Sequence, residues 1–261
     1  MPPLRIDRQD PGIAVLTLAL PERRNAMTED LTHAWSDALR QLRVDAELRC
    51  VIVTGSGSAF CAGGDLSWID AGGSLGVPSI RARMLPFYHA WLGVRDLEVP
   101  TIAAVNGAAI GAGLALALAC DLRYAVPDAP LSAPFTLLGM HAGMAATWLL
   151  PEVAGLPVAR ELLFTGRVVT GAEAVALGLV NRTFPAETFM ADVLQIARMI
   201  AARAPLATRL TKVALAGRGH ASFDAALAWE SLAQPVTMAS DDLAEGLRAQ
   251  RERRPPRFTG H

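Results

Sequence analysis

The chain has few of the residues that mark several common protein classes. Its 261 residues include three cysteines, Cys50, Cys61 and Cys120, far apart and with no CxxC pair. That excludes a disulfide framework, a zinc ribbon and a thioredoxin-type redox pair, and leaves buried thiols in a reducing cytoplasm as the expectation. Neither sign of charge dominates: 24 Lys and Arg stand against 25 Asp and Glu, a net charge of -1, so no field gathers a nucleic acid. With 52% hydrophobic and 19% charged residues, the composition is not that of a disordered chain. Uninterrupted apolar runs are missing as well. Residues 99–120 and 129–151 carry no Asp, Glu, Lys or Arg, yet the first is mostly Ala and Gly around Asn106, and the second holds Pro130, Pro134, Gly139 and His141. No membrane span is therefore expected. The apolar stretch at 13–20 follows Asp7 and Asp10 and has no small-residue cleavage site after it, which is not an export signal's pattern. HExxH and GxxxxGK are absent, so no metal or nucleoside triphosphate is expected.

What is present is an alternation of strand and helix signals, followed by helices alone. Ile13–Leu18 reads as a strand stopped by Pro21, and Thr28 caps a helix with Leu31, Trp35, Leu39 and Leu42 at helix spacing. A strand at 50–54 enters the Gly-rich loop 55–64, with a helix expected from Asp65 or Leu66. Pro78 opens a helix running to about Leu97. The strand Thr101–Val105 then leads through the Gly-rich loop 106–113 into an Ala/Leu helix ending near Cys120. A strand at 121–126, helices at 143–150 and 157–164 and a short strand at 180–184 complete this part. Helices then begin at Pro205, Ser222 and Ser240. Repeated strand-loop-helix units predict an α/β fold with a helical C-terminal part.

Glycines let a backbone turn sharply and bring bare N–H groups close to a ligand. Two such loops, each after a buried strand, place one N–H from each where both can meet a single developing negative charge; the alternative is a pair of plain tight turns. A dinucleotide fold is less favoured, because Leu116 stands where the third glycine of GxGxxG belongs.

Phe60-Cys61-Ala62-Gly63-Gly64-Asp65-Leu66, followed by Ala104-Val105-Asn106-Gly107-Ala108-Ala109-Ile110-Gly111-Ala112-Gly113, resembles the enoyl-CoA hydratase/isomerase (crotonase) superfamily. Pro21-Glu22-Arg23-Arg24-Asn25-Ala26-Met27, Leu163-Phe164-Thr165-Gly166-Arg167, the segment 174–180 and the tail at 242–246 and 254–260 resemble it too, in order and over nearly the whole chain. The resemblance implies a ββα spiral core over residues 1–200 and a helical oligomerisation region over 201–261, forming a homotrimer or hexamer. It implies an acyl-CoA substrate, no cofactor beyond the coenzyme A that the substrate carries, and no nucleic acid or membrane partner. Carried over position by position, the oxyanion donors are the backbone N–H groups of Gly64 and Ala112. Arg23 or Arg24, and more weakly Lys212, would meet the CoA phosphates, and Ala62, Ala115, Phe135 and Trp148 would border the acyl group.

The departures concern proton transfer. Ala115 and Phe135 stand where hydratases of this family carry their two glutamates, and Gly143 where some isomerases and dehalogenases carry an aspartate. His141 is the candidate replacement, because an imidazole gains and loses a proton near neutral pH. Asp70, Tyr88 and His89 are further candidates, whereas Asp65 is expected to cap a helix and Cys61 to fill space. Three readings follow: a hydratase/isomerase with reassigned proton transfer, a decarboxylase in which loss of CO2 itself generates the enolate, and an acyl-CoA binding protein without chemistry.

Overall fold

The computed structural model describes residues 2–10, 12–65, 67, 76–218 and 222–261. Strands β1 (Leu4–Asp10) and β2 (Ile13–Leu18) pair antiparallel, and β3 (Cys50–Gly55), β5 (Thr101–Val105), β7 (Leu122–Ala125) and β9 (Arg182–Thr183) extend them in parallel. The order of this six-stranded sheet is β1-β2-β3-β5-β7-β9. A second, parallel sheet has the order β4-β6-β8, from β4 (Ala59–Cys61), β6 (Ala108–Ile110) and β8 (Leu131–Ser132). The chain thus lays one strand in the large sheet and the next in the small one before turning back through a helix.

The large sheet is buried on both faces, so its strands read as continuous apolar runs. Ala14, Leu16, Val51, Val53, Ala103 and Val105 face one core, which holds α1 (Glu29–Arg43), Trp91 of α2 (Val77–Leu92) and α3 (Ala112–Ala119). Their alternates Ile13, Val15, Ile52, Ile102 and Ala104 face a second, with Phe189, Val193 and Ala197 of α6 (Phe189–Ala201). The Thr28 hydroxyl accepts the Leu31 N–H at 3.2 Å and so caps α1. The Trp35 and Trp91 rings stack at 5.1 Å and pin α2 on α1.

Several elements differ from expectation. The helix at Pro78 ends at Leu92 and continues as a 3-10 turn, Gly93–Asp96. The two helices at 143–150 and 157–164 form one element, α4 (Ala146–Thr165), broken at Gly155 where φ is 78° and ψ 160°. Strands β1, β4, β6 and β8 are additions. Leu66 and Asp70 lie outside the described residues.

Beyond α5 (Gly171–Ala176) and α6 come α7 (Pro205–Val213), α8 (Phe223–Met238) and α9 (Asp241–Glu252). No residue of α8 is buried. The C-terminal tail is latched to α9: Asp242 accepts the N–H groups of Thr259 and Gly260, and Glu245 accepts the Arg254 guanidinium and the Arg257 N–H. No helix among the described residues is long and apolar enough to cross a membrane.

Candidate functional site

Pairing of β4 with β6, Ala59 opposite Ala108 and Cys61 opposite Ala109, lays the two Gly-rich loops side by side. The loops touch. A Cβ added at Gly63 would stand 2.5 Å from the Ile110 carbonyl oxygen and 3.2 Å from the Ala112 nitrogen, and one added at Gly113 would stand 2.0 Å from the Cys61 carbonyl oxygen. Space therefore demands glycine at both, and Gly63 also has a φ of +95°. Ala112 is the first residue of α3, so its N–H has no acceptor within the helix and sits at the positive end of the dipole. Among the described residues none accepts the N–H of Gly64 or of Ala112. The loop contact brings two N–H groups without a described acceptor into one neighbourhood.

Asn25 holds the first loop in place. Fully buried, it accepts the Leu20 N–H at 3.0 Å and donates to the carbonyls of Ser56 and Ala59 at 3.0 and 2.8 Å. The Ala62 N–H donates to the Arg24 carbonyl at 2.9 Å and the Met27 N–H to the Gly63 carbonyl at 2.8 Å. Asn106 does similar work on the second loop, accepting the Gly55 N–H and donating to Gly57, both at 3.1 Å. Sequence reading assigns neither asparagine a role; the available signal is a carboxamide following an apolar strand or a turn, where loose backbone groups need partners.

Arg23 is half exposed and donates to Asp65 at 3.0 Å. The Ser67 hydroxyl and N–H both donate to Asp65, and with Arg23 they hold its carboxyl below the usual carboxylate range. Asp65 thus both caps the chain at Ser67 and anchors Arg23. Burial pushes the Cys61 thiol up to about 12, and it donates to the Asn25 carbonyl at 3.1 Å, so it is a neutral space-filling group. The Phe135 ring lies 3.9 Å from where a Cβ of Gly111 would be, next to Ala112. Ala115 is buried one turn along α3, its N–H donating to the Gly111 carbonyl at 3.1 Å.

His141 is exposed on the loop before α4, and its Nδ1 donates to the Ala142 carbonyl at 2.7 Å. Trp148 is two-thirds exposed on the first turn of α4. Tyr88 reaches the Gly143 backbone from α2, whereas His89, one residue on, is exposed. Lys212 corrects the expectation of a phosphate ligand: it is buried, donating to the Val99 carbonyl at 2.7 Å and paired with Asp121 at 2.8 Å, because α7 packs on the end of the large sheet. Among the described residues no three His, Cys, Asp or Glu side chains cluster as metal ligands.

The model of the enoyl-CoA hydratase/isomerase family matches residues 8–261. The chain is 36% identical to the mitochondrial enoyl-CoA hydratase domain-containing protein 2 of Bos taurus over 258 residues, 95% of this chain and 85% of that one. It is 32% identical to the mitochondrial methylglutaconyl-CoA hydratase of Mus musculus over 260 residues, 98% of this chain and 82% of that one. The crystal structure of an enoyl-CoA hydratase from Bacillus anthracis superposes with a TM-score of 0.93 at 32% identity, covering 99% of this chain and all of that one.

Proposed function

The chain belongs to the enoyl-CoA hydratase/isomerase family and has its crotonase fold, and on that premise we propose that it takes an acyl-CoA thioester and stabilises the enolate of its acyl group between the Gly64 and Ala112 N–H groups. The observation that carries this reading is the contact of the two loops, which holds both donors, neither accepted by a described residue, beside Gly63. Charge develops on the thioester oxygen when an α-proton, a water or a carboxylate group is moved, and each preorganised donor contributes about 2.7 to 4 kcal/mol toward it. Arg23, oriented by Asp65, meets the CoA phosphates. Ala62, Ala115, Phe135 and Trp148 border the acyl group, and His141 exchanges protons at the open end. The reading includes no metal and no cofactor beyond the substrate's own coenzyme A. It also includes a homotrimer or hexamer, supported by the unburied α8, and a cytoplasmic setting, supported by three buried, unpaired thiols.

Decarboxylation of a carboxylated acyl-CoA is a second reading, favoured by Phe135 and Ala115. Both are buried and apolar where the site needs no added base if CO2 departs with its bonding electrons left on the enolate. The test follows the absorbance of a short trans-2-enoyl-CoA and CO2 release from a malonyl-type thioester, with binding of both measured by calorimetry. Binding with loss of absorbance supports hydration, and binding with CO2 release supports decarboxylation. Binding without turnover on a broad thioester panel leaves an acyl-CoA binding protein, and no binding overturns the proposal.

A further inference from the structure

Tyr88, on α2, is one of the further proton-transfer candidates, and the structure gives its hydroxyl a defined neighbour. Its hydroxyl lies so close to the Gly143 backbone that a Cβ there would stand 2.5 Å from Oη. The side chain is half-buried and packs against the main hydrophobic core. Burial raises the phenol above its ordinary value, and the Met144 N–H, directed at the oxygen, works in the opposite sense. The hydroxyl carries a proton of its own to give.

The segment Tyr88 touches is strained. Met144 and Ala145, neither of them glycine, have φ values of 54° and 53°, a conformation L residues hold only where the surroundings enforce it and one that gathers at functional sites. The same stretch of chain begins at Phe135, whose ring lies beside Gly111 and whose carbonyl accepts the Met140 N–H at 3.0 Å. One continuous segment therefore carries, at its start, the ring next to the Ala112 donor and, at its end, the contact with the phenol. Cys61, the other buried proton-bearing group of these loops, already donates to a carbonyl. His141, on the same segment, is exposed.

We propose that Tyr88 is the proton donor to the α-carbon of the enolate held by Gly64 and Ala112. The inference rests on the enolate reading above. The enolate's electron pair forms the new C–H bond with the phenol proton, the O–H bond of Tyr88 breaks, and the phenoxide regains a proton from water. The role needs no carboxylate at 115, 135 or 143, and a side chain at 143 would displace the hydroxyl.

The test compares two CoA thioethers by calorimetry, one bearing a nitroalkyl group ionised to its nitronate, a planar anionic enolate mimic, and one bearing the matching alkyl group. The wild type is expected to prefer the nitronate. Tyr88→Phe is expected to lower that preference about 10- to 100-fold, the range for a hydrogen bond to a charged group, with alkyl binding within about 2-fold. Gly143→Ala is expected to lower it as well, and to add nothing in the Tyr88→Phe background. An unchanged ratio in a folded Tyr88→Phe protein, or in Gly143→Ala if Tyr88→Phe does not fold, overturns the role of Tyr88 and leaves the enolate reading standing. A wild type that binds neither thioether, or both equally, overturns the enolate reading itself.

Discussion

Replacing Gly63 by alanine tests whether contact between the two loops is what builds the site, and Gly139→Ala isolates the part of the effect that is backbone strain alone. Both glycines have positive φ, +95° and +70°, a region that costs an L residue about 1–2 kcal/mol. They differ in surroundings: a Cβ at Gly139 meets nothing within 4 Å, whereas at Gly63 it meets the Ile110 carbonyl oxygen at 2.5 Å and the Ala112 nitrogen at 3.2 Å. Backbone cannot swing aside as a side-chain tip can, so an overpacking cost of about 1–3 kcal/mol is added. Gly139→Ala should then lose about 1–2 kcal/mol and Gly63→Ala about 2–5. At about 2–4 °C per kcal/mol for a chain of this size, tryptophan fluorescence on heating separates the two. Gly63→Ala should also force the Gly64 and Ala112 donors apart. Losing one of them costs roughly 10²- to 10³-fold in turnover, with Gly139→Ala near wild type. Equal melting shifts for the two variants, or full turnover by Gly63→Ala, would refute the reasoning that the donors depend on this contact.

Four further outcomes are expected. Glu245, held well below the ordinary value of 4.5 mainly by Arg254, stays charged in the folded protein while the unfolded chain takes up a proton. The stability it contributes is therefore complete above about pH 5 and is lost as pH falls further; proteolysis of residues 254–261 should rise in that window, and Glu245→Gln should be cut readily at pH 7. Burial pushes Cys50, Cys61 and Cys120 each up to about 12, so a disulfide reagent at pH 8 should label none in the folded protein and all three in denaturant. On α8, Phe223, Leu232 and Met238 are 77%, 71% and 61% exposed; if these faces meet in the oligomer, Leu232→Asp should reduce the mass seen in sedimentation to that of one chain, and an unchanged mass would exclude α8 from the interface. Asp121→Asn should destabilise more than Lys212→Met in denaturant unfolding, because it leaves an ammonium whose side chain is 6% exposed with the Val99 carbonyl but no counter-charge, whereas the converse leaves a carboxylate 36% exposed that still accepts from Thr101.

The large sheet was legible because its strands are long enough to show a period. Ile13–Leu18 and Thr101–Val105 match their predicted bounds, and the caps Thr28 and Ser222 mark their helices as expected. Strand β1 was missed although Leu4 and Ile6 alternate with Arg5 and Asp7, because the charged half of an edge strand resembles a polar leader. The small sheet was out of reach for a different reason. Strands of three, three and two residues cannot display a two-residue period; β4 and β6 lie inside stretches whose glycines read as turns, and β8 lies between Pro130 and Pro134.

Yet that small sheet brings the two loops of the candidate site together. The β4–β6 pairing determines which glycines collide, so the glycines that obscured the strands are also the record of the contact. The proposed donors are backbone N–H groups, whose positions depend only on chain path. Side-chain roles are harder to read, because they depend on what stands opposite: Lys212 faces Asp121, Arg23 faces Asp65, and Tyr88 faces a residue 55 positions away whose lack of a side chain makes room for its hydroxyl. Gly143 read alone is a missing carboxylate. Gly143 read with Tyr88 is the space that a proton-bearing group already occupies, so restoring a carboxylate there would require removing the phenol first.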